Sequence, residues 1–324
     1  MIEEISPNLY KVEVPLPQSP LKATNSYVIK AQGQSLIIDT GMNREECKNS
    51  ISSSLRELDI DLKRADFFIT HMHADHSGLL SSLAVDTSRV YSSQADAAVL
   101  RSLEASLWNK LANFACINGF PEDELQEAVS SHPGCKYSPR GRLNFHILKE
   151  GNTISIGDYL FKCIETPGHT KGHMCLYEQN KKLFISGDHI LIGITPNISL
   201  WSNEENHLEE YLTSLNKIYD LDVELILPGH RRTFSCFRER IQELKYHHKT
   251  RADEVLSILE GGRQNAYQVA AQMTWDMTYE SWSQFPSVQK WFAVGEAIAH
   301  LKYLEEKGKI RREIQEQRAV FSLK

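Results

Sequence analysis

The sequence predicts a layered α/β fold followed by a smaller helical unit, and three observations carry that prediction. Short β-branched and aromatic runs alternate with helical spacing over the first two thirds of the chain. Turns bearing glycine, histidine and aspartate follow several of those runs directly. After about Arg238 the pattern becomes helix, helix, helix and then two short strands. At 324 residues the chain exceeds the ~100–200 residues of a typical domain. We therefore expect two domains, 1–237 and 238–324.

Residues 9–14, 26–29 and 35–39 alternate as strands do, and the prolines at 15, 17 and 20 between the first two forbid a helix there. Cys47, Ile51, Leu55 and Leu58 recur at roughly helical spacing, which predicts a helix over 44–58. Residues 65–70 form a short buried strand. From 94 to about 131 the spacing turns helical through Ala98, Leu100, Leu103, Leu107, Leu111 and Phe114, with a second helix after Pro121. Strands resume at 143–148, 153–156, 159–164, 174–177, 183–186 and 224–227. In the last unit, Val255, Leu256 and Leu259 mark one helix, Tyr267 to Met273 a second, and Val294 to Leu304 a third. Residues 309–313 and 318–323 close it as a hairpin.

With 41% hydrophobic and 24% charged residues, the composition is that of a soluble globular protein with material for a sizeable core. A net charge of −6 argues against wholesale coating of nucleic acid. The six cysteines are scattered, without a C-x-x-C pair, which fits a reducing compartment better than a disulfide framework. The N-terminus lacks a basic start and apolar run, and no apolar stretch approaches a membrane span. The expected location is cytoplasmic, with no membrane contact.

Thr70-His71-Met72-His73-Ala74-Asp75-His76 places four strong ligands within six residues, directly after an apolar strand. Imidazole and carboxylate suit zinc and related divalent metals. His71 and His73 can face one ion from an extended turn, and Asp75 and His76 a second as the chain curls into a helix. Later turns add His169, Asp188 and His230, each just after a predicted strand. His173 and His189 follow two of these turns. A hydrogen-bonding role suits His173, and a substrate contact is the functional reading of His189.

Together with Asp39 in Ile37-Ile38-Asp39-Thr40-Gly41, these segments resemble the full motif set of the metallo-β-lactamase superfamily, in the expected order from 39 to 230. The resemblance implies an αββα sandwich with two metal ions at one edge, here carrying a helical insertion over about 94–131. It implies that His71, His73 and His169 hold one ion and that Asp75, His76 and His230 hold the other. Asp188 would bridge them, and Asp39 would orient a ligand without touching metal. Zinc is the expected cofactor; iron and manganese accept the same donors. Two ions ~3.5–4 Å apart can share a water and lower its pKa from ~15.7 towards ~7. Asp75 and Asp188 then become the catalytic carboxylates, Asp75 as proton acceptor or orienting group.

The segment from Gly168 to His173 and the Gly187-Asp188 turn look most like glyoxalase-II-type hydrolases, so a thioester, ester or similar small carbonyl substrate is expected. Secreted β-lactamases of the best-known kind carry cysteine where this chain has Asp188. Oxygen-reducing diiron relatives carry glutamate at the position of His73. The 94–131 helices can fold over the metal edge, where Trp108, Phe114 and Phe120 would wall an acyl pocket; equally, these aromatics can pack the inserted helices.

Residues 293–310 resemble the winged-helix domain appended to one branch of the superfamily. That branch includes endoribonucleases, which makes a nuclease the alternative reading. From 238 onward the chain carries fourteen Lys and Arg against twelve Asp and Glu, with Lys307, Lys309, Arg311, Arg312 and Arg318 around the hairpin. A net charge of +2 would neutralise few phosphates, so packing on the catalytic domain or on a sister subunit in a homodimer is favoured over nucleic-acid binding. A non-catalytic DNA-binding regulator with a structural metal is the third reading, weakened because seven ligands exceed what one structural site requires.

Overall fold

The computed structural model describes residues 1–102, 105–276 and 279–324; Leu103, one of the helically spaced residues, lies outside them. Strands β1 (Ile2–Ser6), β2 (Leu9–Pro15), β3 (Ala23–Ala31), β4 (Gln34–Ile38), β5 (Ala65–Phe68), β6 (Val90–Ser93) and β7 (Phe145–Leu148) form one sheet in that order. Pairing is antiparallel from β1 to β4 and parallel from β4 to β7. Strands β8 (Thr153–Ile156), β9 (Tyr159–Glu165), β10 (Met174–Glu178), β11 (Leu183–Gly187) and β12 (Leu225–Pro228) form a second sheet, antiparallel except between β11 and β12. The proline-rich loop after β2 is shorter than expected, because Ala23, Thr24 and Asn25 already pair with β2.

The two sheets face one another across a buried layer in which Tyr27, Ile29, Leu36, Ile38 and Phe68 meet Phe161, Met174, Leu176 and Leu227. Alternate residues of the first sheet point outward, where Val12, Val28, Ile37 and Phe67 are covered by α1 (Glu45–Glu57). That helix buries Cys47, Ile51 and Leu55 at four-residue spacing, with Glu45 and Glu46 at its N-terminus and Arg56 in its last turn complementing the macrodipole. The short helices α2 (Ala74–Ser77) and α3 (Leu80–Leu83) follow β5, and α4 (Gln94–Arg101) follows β6. The insertion continues as α5 (Ala105–Ile117), α6 (Glu122–Ser131) and α7 (Pro133–Tyr137).

The outer face of the second sheet is covered by α8 (His207–Ile218) and by α9 (Phe237–Glu260). Helix α8 occupies a stretch for which the sequence reading names no element. Its signals are nonetheless present: the Asn206 side chain accepts from Glu209 N–H as N-cap, and Leu208, Tyr211, Leu215 and Ile218 are buried on one face. The layers are therefore helix, sheet, sheet, helix. After α9 come α10 (Ala266–Ala270), α11 (Ser287–Glu306) and the hairpin β13 (Ile310–Gln315) with β14 (Arg318–Leu323), the three-helix-and-hairpin order anticipated for 238–324. One buried cluster joins this segment to the rest. Phe184 and Ile226 of the second sheet, Phe237 and Ile241 of α9, Phe120 of the insertion and Trp291 of α11 all belong to it. Phe120 packs its ring against Tyr267 and Trp291. Among the described residues no helix is long and apolar enough to cross a membrane.

Candidate metal centre

All the motif residues lie beyond strand ends at one edge of the sandwich, and both sheets contribute. Asp39 follows β4, the His71–His76 segment follows β5, His169 follows β9, and Asp188 and His230 follow β11 and β12. The sheets are stitched together at this edge. The Asn25 side-chain amide donates to the carbonyls of Pro228 (2.9 Å) and Arg231 (2.8 Å), and the Tyr27 hydroxyl donates to Pro228 O at 2.8 Å. Met174 N–H donates to Thr70 O at 2.9 Å.

Asp39 adopts left-handed backbone geometry (φ 57°), an uncommon conformation that aspartate tolerates better than most residues. Its carboxylate accepts from Thr70 N–H (2.9 Å), Thr70 Oγ1–H (2.8 Å) and His76 Nδ1–H (2.8 Å). The last bond turns His76 Nε2 towards the centre. Other ligand candidates are held in the same way. His169 Nδ1–H donates to Asn197 O and His230 Nδ1–H to Ala23 O, each at 2.8 Å, while His71 Nδ1 meets Thr70 Oγ1 at 3.0 Å. In every case Nε2 faces the centre.

Three groups of ligand atoms converge there: His71, His73 and His169; His71, His76 and Asp188; Asp75, His76 and His230. His71 Nε2 lies 3.0 Å from His73 Nδ1. Asp188 reaches towards His76 Nε2 with Oδ1 (3.5 Å) and towards His169 Nε2 (3.6 Å) and His230 Nε2 (3.3 Å) with Oδ2. Asp75 Oδ2 lies 3.3 Å from His230 Nε2. Burial pushes His73 down to about 3, with the His169 charge adding to it, and burial holds His71 well below the usual imidazole range. Both rings therefore present neutral lone pairs. Although burial opposes charge on His230 and His76, Asp188 raises both, His230 to about 10, with help from Asp75.

The residues fit divalent metal cations. His169 Nε2 and Asp188 Oδ1 are buried without a hydrogen-bond partner, a costly condition that an ion at the centre would relieve. The donor set of imidazole nitrogens and carboxylate oxygens is the one that divalent first-row metals take.

His173, Asp96 and Asn197 complete the surroundings. His173 Nδ1 bonds Thr166 Oγ1 at 2.8 Å, and its Nε2 accepts from Asp188 N–H at 3.2 Å, a hydrogen-bonding role as anticipated. Asp96, absent from the sequence reading, accepts from Met72 N–H (2.8 Å), Thr170 Oγ1–H (2.8 Å) and Gly172 N–H (2.9 Å), so it ties the His71–His76 loop to the His169 loop. Gly172 is required by this approach, since a Cβ there would come within 2.5 Å of Asp96 Oδ1. In the sequence Asp96 reads merely as a first-turn acid behind the Ser93 N-cap.

The expected substrate contacts are less uniform. His189 is fully buried beneath the centre against the rings of His173 and Tyr211, so in this structure it has no surface to offer a substrate. Trp108 is partly exposed and its ring lies 4.9 Å from that of His132. Phe114 packs on the cluster shared with the C-terminal segment.

The model of the metallo-beta-lactamase superfamily matches residues 20–230, a span that holds Asp39 and every ligand candidate. The chain belongs to the metallo-β-lactamase superfamily. A second model, the metallo-beta-lactamase-like C-terminal domain, matches residues 282–321. The human acyl-coenzyme A thioesterase MBLAC2 is 26% identical over 227 residues, covering 66% of this chain and 75% of that protein. An atrochrysone carboxyl ACP thioesterase of Aspergillus fumigatus is 24% identical over 260 residues, 80% of this chain and 67% of that one. A metallo-beta-lactamase family protein from Thermus thermophilus superposes with a TM-score of 0.83 at 26% identity, over 99% of this chain and 100% of its own. As a superfamily member with hydrolases among its relatives, the protein is a metallo-hydrolase.

Proposed function

We propose that this metallo-hydrolase cleaves an acyl thioester at a dinuclear centre held by His71, His73 and His169 on one side and Asp75, His76 and His230 on the other, with Asp188 between them. The convergence of three ligand groups carries the reading: the middle one, with Asp188, shares His71 with the first and His76 with the third. Relatives whose names specify thioesters support the substrate class. Zinc suits the donor set best. When bound, the ions supply a water activated at neutral pH and a Lewis acid for the carbonyl oxygen. The chain's own part is to aim Nε2 of His71, His76, His169 and His230 at the centre by engaging each Nδ1, and to hold a proton acceptor at Asp75 Oδ2.

The nuclease alternative loses ground at the hairpin. Lys307 pairs with Glu209 at 2.9 Å, Arg311 with Glu313 at 3.4 Å, and Arg312 donates to Asn203 at 2.6 Å. These cations face the protein's own residues, which favours the packing role for the C-terminal segment. Metal-replete protein assayed in parallel on an acyl thioester and a single-stranded RNA, with Asp188→Asn as control, tests the reading. Thioester cleavage that disappears in the variant supports it; RNA cleavage with that dependence, and no thioester cleavage, overturns it.

A further inference from the structure

We propose that Glu296, on the C-terminal helix α11, is a positioning residue for the metal centre, acting on His169 through Asn197. The inference rests on His169 being a metal ligand but not on the identity of the substrate.

His169 is oriented by one bond, from Nδ1–H to the backbone carbonyl of Asn197. That carbonyl belongs to a long segment between β11 and α8 without helix or strand, residues 188–206. Such a segment has no ladder of its own to fix a carbonyl, so something outside it must. The fixing surface is α11. The Asn197 side-chain amide donates to Glu296 Oε2 at 3.0 Å, and Ser199 Oγ–H donates to Asn197 Oδ1. Leu200 N–H donates to Gly295 O at 3.1 Å, and the Trp201 ring stacks on Trp291 with centroids 4.2 Å apart. Gly295 permits this approach, because a Cβ there would lie 2.7 Å from the Trp201 ring.

Glu296 is itself held from behind. It is 8% exposed, and its Oε1 lies 3.7 Å from Arg251 Nε of α9. Arg251 in turn donates to Thr274 O at 2.6 Å and pairs with Glu254. A continuous set of polar contacts therefore runs from α9 through Arg251, Glu296 and Asn197 to the ring of His169. The C-terminal segment completes the surroundings of the metal centre, although among the described residues none of the three converging ligand groups includes a residue from it.

The test is metal affinity, read by competition with a chromophoric chelator on the full chain and by the spectrum of the cobalt-substituted protein. Glu296→Ala is expected to weaken one of the two ions by up to about 10-fold, the lower end of the ~10–100-fold loss that follows removal of a ligand's direct partner, because the Asn197 carbonyl itself remains, and to leave the other near its wild-type affinity. Glu296→Gln retains an acceptor for the Asn197 amide and should recover most of the loss. Asn197→Ala should reproduce the defect if Glu296→Ala folds poorly, and the double variant should add nothing further. Glu124→Gln on α6, which removes the charge that pairs with Lys290 of α11, controls for general loosening of α11. Wild-type affinity for both ions in Glu296→Ala and Asn197→Ala overturns the proposal, as does an equal loss in Glu124→Gln. Wild-type protein that binds no ion would overturn the metal assignment itself.

Discussion

Replacing Asp96 by alanine separates two roles that its buried carboxylate combines. The side chain is 1% exposed and accepts three hydrogen bonds, two from backbone N–H groups and one from Thr170. The Thr170 hydroxyl can turn to another acceptor, whereas the two backbone donors cannot. Each buried donor left without a partner costs about 1–3 kcal/mol, so that pair is worth roughly 2–6 kcal/mol. Against this stands the carboxylate's own burial, which pushes its pKa up to about 6. At pH 7 it is ionised, and a shift of about two units corresponds to roughly 3 kcal/mol of penalty that alanine removes. The net loss of stability should then be modest, no more than about 3 kcal/mol. Metal affinity should fall further, by about 10–100-fold, because the two loops carrying His71, His73 and His169 lose their shared anchor. Urea denaturation of the metal-free protein and zinc competition, run on the same preparations, read the two effects separately. A variant that loses several kcal/mol yet binds zinc within about twofold of wild type would refute the reasoning and leave Asp96 an ordinary buried acid.

Other outcomes follow from the same structure. Asp188→Asn should abolish turnover at every substrate concentration; residual activity above a few per cent in steady-state assays would contradict its place between the ligand groups. Chelation should lower the melting temperature, since an ion held at about 100 times its Kd contributes about 2.7 kcal/mol; an unchanged melting curve would count against the site. Gly172→Ala should disrupt the loop by driving a Cβ into Asp96 and Ser93, seen as lost metal content in purified protein. His300 is fully buried and its pKa is pushed down to about 4, chiefly by that burial. The unfolded imidazole takes up its proton below about 6.5 while the folded one waits until about 4, so the unfolded state binds more protons in between and stability falls as pH is lowered through that window. The loss reaches roughly 3 kcal/mol across the whole window and about 2 kcal/mol by about pH 5, and His300→Gln should remove that share of the difference between urea titrations at about pH 7 and about pH 5.

The metal centre is legible because its chemistry is local. Four ligand candidates fall within six residues, and each later candidate comes directly after an apolar strand, so the pattern is readable without knowledge of tertiary packing. The sandwich follows from the resemblance those residues carry, whereas the alternating runs alone reach only a layered α/β arrangement. What escapes depends on distance along the chain. Asp96 carries the signature of a helix N-terminus, and its partners lie 24 to 76 residues away. Asn197 orients His169 through a backbone carbonyl, which any residue possesses, so no residue type could mark it. His189 reads as a substrate contact from its place after Asp188, but its ring is buried against His173 and Tyr211. Glu296 sits in a helix that is buried on nearly every side, where periodicity has no polar face to reveal.

The stitching of the two sheets at the metal edge has a consequence for how the molecule opens. Asn25 and Tyr27 of the first sheet hold the end of β12, His230 holds Ala23, and the ligand candidates are divided between the same two sheets. The ions would therefore act as rivets across the seam between the layers. Amide protons in β3, β5, β11 and β12 should exchange as a single cooperative block when metal is present. On stripping the metal, that block should break along the seam and not within either sheet, so the sandwich would loosen like a hinged book whose clasp has been undone.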